Sequence, residues 1–147
     1  MNNDKPLNRS DYVVFYPLDT RWNDNDLYGH VNNVVYYSYF DTAVNRYLIE
    51  QGGLDIHNGG VVAFVVNSHC HYLAPIAYPD KIEVGIAVKK LGNSSVTYAI
   101  GIFKTGESMA VAYGDFVHVF VEREANQSTP IPEKIRTALQ ALHPGTQ

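Results

Sequence analysis

Between residues 21 and 33 the chain reads Arg21-Trp22-Asn23-Asp24-Asn25-Asp26-Leu27-Tyr28-Gly29-His30-Val31-Asn32-Asn33, gathering acids, a glycine and amides just before a strongly apolar run of helical period. A helix start leaves backbone N–H groups unpaired at the positive end of its dipole, so Asn32 and Asn33 stand where developing negative charge can be held. Asp26 lies shortly upstream. A carboxylate facing backbone donors, with a substrate carbonyl between them, suits acyl transfer by nucleophilic or general-base attack. Spacing alone favours a plainer role for Asp26, a turn carboxylate that accepts a nearby N–H.

These residues have to be held by the elements on either side. Tyr12 to about Leu18 is β-branched and aromatic and reads as a first strand, with Pro17 placing its end at an edge or a bend. From Asn33 to about Gln51 the rows Tyr36, Phe40, Ala43, Tyr47 and Val34, Tyr37, Val44, Leu48 recur at helical spacing, and Gly52-Gly53 supply a stop. Asp41, Thr42, Asn45, Arg46 and Glu50 leave only a narrow polar side, so most of the helix must be covered. Beyond residue 60 the period changes to two. Strands are expected from Gly60 to about Leu73, from Lys81 to Leu91, from Val96 through Ile102, and from the Thr105-Gly106-Glu107 turn to about Val121. A short amphipathic helix follows from Pro132 to about Leu142. A long helix buried over so wide an arc needs a strongly curved, mostly antiparallel sheet around it, which makes the chain α+β.

The composition narrows the function classes. With 147 residues, 46% hydrophobic and 18% charged, the chain suits one folded domain spanning 1–147, with an ordered core at about 11–143 and mobile ends at Met1 to Ser10 and Pro144 to Gln147. A net charge of -4 offers no field for a phosphate backbone, so nucleic acid is not an expected partner. The single cysteine, Cys70, allows no intrachain disulfide, and no apolar run suits a signal peptide or a bilayer span; a cytoplasmic protein with no membrane partner is expected.

The stretch Asp26-Leu27-Tyr28-Gly29-His30-Val31-Asn32-Asn33 resembles the Asp-x-x-Gly-His-Val-Asn-Asn pattern of hotdog-fold acyl-CoA thioesterases of the 4-hydroxybenzoyl-CoA thioesterase-like family. The likeness continues through Tyr36 and Tyr39-Phe40-Asp41, Tyr72-Leu73-x-Pro75 with Asp80, and Leu91-Gly92-x-Ser94-Ser95. It implies a hotdog fold, a curved sheet of about five strands wrapped around one long central helix. It further implies hydrolysis of an acyl-CoA thioester, with Asp26 as nucleophile or as base for water and the main-chain N–H of Asn33 holding the oxyanion. Gly29 then serves close backbone approach or a positive φ. Tyr36 belongs to the acyl pocket, and Lys90 and Ser94 of the Lys89-to-Ser95 hairpin meet the phosphates of coenzyme A. No cofactor or metal is implied. Relatives assemble with active sites between subunits, so a homodimer or homotetramer is expected.

Other residues have plainer readings beside these. His30 orients the acid, hydrogen-bonds a water or, more simply, packs its ring and bonds a carbonyl. Asp24 reads as a solvated loop charge or an electrostatic neighbour of Asp26. His69 and His71 share a strand face and could be two legs of a metal site with His118 approaching, but no third ligand is evident, and a partly buried or interface pair is favoured. Cys70 reads as a buried apolar residue. A non-catalytic acyl- or CoA-binding protein, a hotdog hydratase or dehydratase and, more distantly, a metal-binding β-barrel are the alternatives to the thioesterase.

Overall fold

The computed structural model describes residues 5–144; residues 1–4 and 145–147, part of the ends expected to be mobile, lie outside the described residues. Strand β1 (Val14–Asp19) leads through a 3-10 turn (Trp22–Asp24) and the polar loop into helix α1 (Val35–Gly52). Strands β2 (Val61–Tyr72), β3 (Lys81–Leu91), β4 (Ser95–Lys104), β5 (Ala112–Glu122) and the two-residue β6 (Gln127–Ser128) follow, then helix α2 (Glu133–Gln140). The main strands form one antiparallel sheet in the order β1-β3-β4-β5-β2, with β6 on β5. This is the expected hotdog architecture, five principal strands curled around α1. Among the described residues no helix is long and apolar enough to cross a membrane.

The helix ends where its glycines predict. Gly53 adopts φ 71°, and the Leu54 N–H returns to the Leu48 carbonyl, closing the last turn. Tyr36, Tyr39, Phe40, Ala43, Val44, Tyr47 and Leu48 are buried against the inner face of the sheet, whose contribution includes Ile82, Val84, Ile86, Tyr98, Ile100, Phe116 and Phe120. Helix α2 covers part of what remains: Ile135, Ala138 and Leu139 are buried, and Tyr47 Oη donates to the Ala138 carbonyl at 2.6 Å.

A histidine shares that core. His118 is 1% exposed on the inner face of β5, its Nδ1 3.3 Å from Tyr98 Oη and its ring edge-on to Tyr98. Burial pushes its pKa down to about 4. In the unfolded chain a histidine binds its proton near pH 6.5, so between those values the unfolded state holds more protons. The associated stability is therefore present above pH 6.5 and lost as pH falls toward 4. We expect unfolding titrations to show a loss of about 2 kcal/mol between pH 7 and pH 5 attributable to this residue. His118→Gln should flatten that slope; an unchanged slope would show that His118 does not control it.

The front of the chain departs from expectation. Residues 5–10, expected to be loose, strap the outer face of the sheet. Ala110 N–H donates to the Leu7 carbonyl, Asn8 bridges Met109, and Arg9 pairs with Glu83 at 2.6 Å while lying 4.8 Å from the centre of the Phe103 ring. Tyr12 lies beneath the strap in a second small core with Ala87, Ala99, Phe103 and Ala110, and its hydroxyl donates to the Pro6 carbonyl. Gly101 makes this possible, because a Cβ there would stand 2.6 Å from the Tyr12 ring. Met109 and Ala110 pair with the strap, Val111 still donates to the Ile102 carbonyl, and β5 begins at Ala112, later than the turn at 105–107 suggested.

At the other edge β2 runs for twelve residues with only β5 beside it. Phe64, Val65 and Val66 are exposed there at 48%, 45% and 58%. A register shift between Val65 and Asn67 bends this edge.

Candidate active site

The polar loop is a short hairpin. Asn25 bridges Val31, Asp26 N–H donates to the His30 carbonyl, and Gly29 N–H donates to the Asp26 carbonyl. Gly29 closes the turn at φ 84°, a conformation that side-chain-bearing residues avoid, which gives the glycine of the motif its physical reason. Asp26 Oδ1 accepts the Tyr28 N–H at 2.8 Å, so the turn-carboxylate role expected from spacing is present and leaves Oδ2 without a protein partner among the described residues. The hairpin is anchored to the segment after β2 by Val31 N–H on the Ile76 carbonyl and by Asn25 Oδ1 on the Tyr78 N–H.

Its rear support is Asp24, and here the expectation of a solvated charge is corrected. Asp24 is 1% exposed. Its Oδ2 accepts the Arg21 N–H at 2.8 Å and Tyr39 Oη at 2.7 Å, and its Oδ1 accepts the Arg21 guanidinium at 3.1 and 3.2 Å. The Asp24 carbonyl takes the Asn32 N–H as well. This one residue therefore joins the 3-10 turn, the hairpin and the first turns of α1. Burial and then the bond to Asp24 hold the Tyr39 phenol well above its usual range. The signal in the sequence was the three-residue spacing of Arg21 and Asp24, an N-terminal cap pattern; the reach to Tyr39 had none.

The helix mouth follows. Asn32 makes the turn that leads into it, its carbonyl accepting Val35 N–H and its Oδ1 accepting Val34 N–H at 3.1 Å. Asn33 is exposed; its carbonyl accepts Tyr72 Oη at 3.0 Å, while its own N–H meets no acceptor among the described residues. Asp26, His30, Asn33 and Tyr36 line one cleft of about 350 Å³ together with Val31, Tyr72, Leu73, Ala74 and Pro75. The expected acid, the expected oxyanion donor and the expected acyl-pocket tyrosine thus share a wall. Gly29 sits at the hairpin tip, facing a neighbouring hollow with Trp22 and Leu27. His30 does not pack as anticipated, since its ring is exposed at the cleft.

Lys90 and Ser94 lie elsewhere. Tyr72 stands opposite Ala112 of β5, whereas Lys90 reaches Val117 through Thr97, a separation of roughly 16 Å along the strand. Within one chain the hairpin is far from the cleft. His69 and His71 lie on the outer face in a larger groove of about 540 Å³, with Lys89, Tyr113 and Asp115. His71 stacks on Tyr113, and Lys89 binds both oxygens of Asp115. His118 points to the opposite face, and no group of three or more His, Cys, Asp or Glu residues suited to a metal occurs among the described residues. Cys70, half-buried, has its thiol pushed up to about 11 by burial, so it is held protonated near neutrality.

A helix clasped by a curled antiparallel sheet, with a glycine hairpin setting an acid at the helix mouth, defines a protein of the hotdog fold. The chain belongs to the thioesterase-like superfamily, whose model matches residues 20–139. It is similar to the crystal structure of the PA5185 protein of Pseudomonas aeruginosa strain PAO1, at 55% identity over 97% of this chain and 99% of that one, with a TM-score of 0.92. The PA2801 protein of Pseudomonas aeruginosa is 30% identical over 84% of this chain and 95% of its own, at a TM-score of 0.78. Slr0204 of Synechocystis, a 1,4-dihydroxy-2-naphthoyl-CoA thioesterase, shares the fold at 18% identity and a TM-score of 0.77, over 86% and 94% of the two chains.

Proposed function

We propose that the protein hydrolyses an acyl-CoA thioester to the free acid and coenzyme A, with Asp26 as the catalytic carboxylate and Asn33 N–H as the oxyanion donor. The observation that carries this reading is the cleft in which an Asp26 oxygen free of protein partners and the unpaired Asn33 N–H share one lining. Membership of the thioesterase-like superfamily supports it, as does the occurrence of an aryl-CoA thioesterase on the same fold. The chemistry needs no metal or redox cofactor. With Asp26 as base, a water gives its proton to the carboxylate as its oxygen bonds the thioester carbon; the C–S bond then breaks and the proton passes to the departing thiolate. With Asp26 as nucleophile, its oxygen bonds that carbon, the C–S bond breaks and coenzyme A leaves as the thiolate; water then opens the resulting mixed anhydride, restoring the Asp26 carboxylate, and a proton passes to the thiolate. His30, exposed beside the acid, is placed to order that water. Oxygen-18 from water entering the Asp26 carboxylate in a single turnover distinguishes the second route from the first.

The assembly completes the reading. A twelve-residue edge with exposed Phe64, Val65 and Val66 is suited to pairing with a second copy. In a homodimer or homotetramer built on it, a partner's Lys90 and Ser94 could serve the coenzyme A phosphates that the cleft in one chain does not reach. The protein's place of action is then the cytoplasm, where acyl-CoAs are met in solution. The test is thiol release from a panel of acyl-CoAs by purified protein whose mass in solution has been measured. Turnover by a dimer or larger species is the expected result. Tight binding of acyl-CoAs without any thiol release would replace this reading with that of a non-catalytic binding protein.

A further inference from the structure

We infer that Tyr72, backed by Tyr36, forms the blind end of the acyl pocket and limits the enzyme to compact acyl groups. This rests on the reading of the cleft as an acyl-CoA site. The register places Tyr72, Cys70, Ser68 and Val65 opposite Ala112, Gly114, Phe116 and His118, so this row of β2 faces α1. The row is incompletely covered: Cys70 and Ser68 are half-buried, and Val65 is 45% exposed. Beyond the cleft the inner side of β2 is therefore only partly covered within one chain, room toward which an extended acyl chain would have to run.

Tyr72 stands across its entrance. Its hydroxyl donates to the Asn33 carbonyl at 3.0 Å, bridging the last residue of β2 to the mouth of α1, with the Tyr37 hydroxyl and the Cys70 thiol beside it. Its ring meets Tyr36 edge to face at 4.9 Å, and Tyr36 is only 3% exposed. Behind Tyr36 the space under the helix is already filled, because Tyr39, Phe40 and Phe116 are buried there. A chain entering the cleft thus meets two rings, Tyr36 fixed by packing and Tyr72, 43% exposed, held across the way by its hydrogen bond and its edge contact with Tyr36. Displacing Tyr72 breaks both contacts, whereas an acyl group that stops short of it breaks neither.

The experiment is a chain-length ladder of butyryl-, octanoyl- and palmitoyl-CoA, read as thiol release and, in parallel, as binding of the matching non-hydrolysable thioethers. Wild type, Tyr72→Ala and Tyr72→Phe are compared. The wild type is expected to favour butyryl over palmitoyl by on the order of 100-fold. Tyr72→Ala should reduce that preference at least about tenfold, and Tyr72→Phe, which keeps the ring, should retain most of it. If the alanine variant does not fold, Tyr72→Leu supplies the same comparison. Equal acceptance of butyryl and palmitoyl by the wild type, or an unaltered ratio in a folded Tyr72→Ala, overturns the inference. Absence of thiol release from every ester would count against the thioesterase reading alone, since the thioether affinities still report the length limit.

Discussion

Asp26→Asn is expected to lower kcat for thiol release by on the order of 1,000-fold or more while leaving the melting profile and the mass in solution unchanged. The substitution isolates charge from shape. An amide oxygen still accepts the Tyr28 N–H that shapes the turn, and the backbone bonds from Asp26 to His30 and from Gly29 to Asp26 are untouched. The variant loses the ability to attack a carbonyl or to take a proton from water. KM should change little, because the acid is proposed to act on the reacting carbon and not on the coenzyme A arm. No substitute is at hand, since Asp26 is the one carboxylate that lines the cleft. Equal rates in the two proteins would place the catalytic acid elsewhere.

Asp24→Ala is expected to cost about 3 kcal/mol of stability and to depress activity as well. The loss removes the acceptor of the Arg21 N–H and the Arg21 guanidinium, and it strands Tyr39 Oη in the core without its partner. Tyr39→Phe, which deletes only one of those bonds together with its hydroxyl, should cost about 1 kcal/mol. The activity loss arises at a distance: without its support the hairpin shifts relative to the helix mouth, and displacement of a reacting group by about 1 Å is worth on the order of 100-fold in rate. Urea titration and thiol release measured on the same preparations test both parts. A wild-type denaturation midpoint in Asp24→Ala would refute the support role.

How much of this is visible in the residue order follows from the range over which each interaction acts. The 3.6-residue rows of α1, the twofold alternation of β3 and β4 and the Gly53 stop are local, and each appears where its pattern stands. The Asp26-to-Asn33 hairpin is also local, which is why a short motif suffices to specify it and why the resemblance located the cleft. The burial of Asp24 is not local, since it depends on Tyr39, fifteen residues later on the buried side of α1. The strap over the outer face is non-local in the same way: Arg9 and Tyr12 meet Glu83, Gly101 and Phe103, partners supplied by strands that no local periodicity links to the N-terminus. Lys90 and Ser94 follow Val88 and Leu91 in order, yet register sends them to the far end of the sheet. Chain order conveys what a residue is, whereas the sheet register decides which residues become neighbours.

The strap and β1 also bear on how this protein can be dissected. The family match opens at residue 20, after both of them, and closes at residue 139, before Leu142, which is fully buried and whose carbonyl accepts the Val88 N–H. A fragment cut to those limits would bare the free edge of β3 and uncover Phe103, Ala87 and Ala99 on the back of the sheet. The boundaries that inheritance has kept recognisable are narrower than those within which the chain can be cut without opening its folded body.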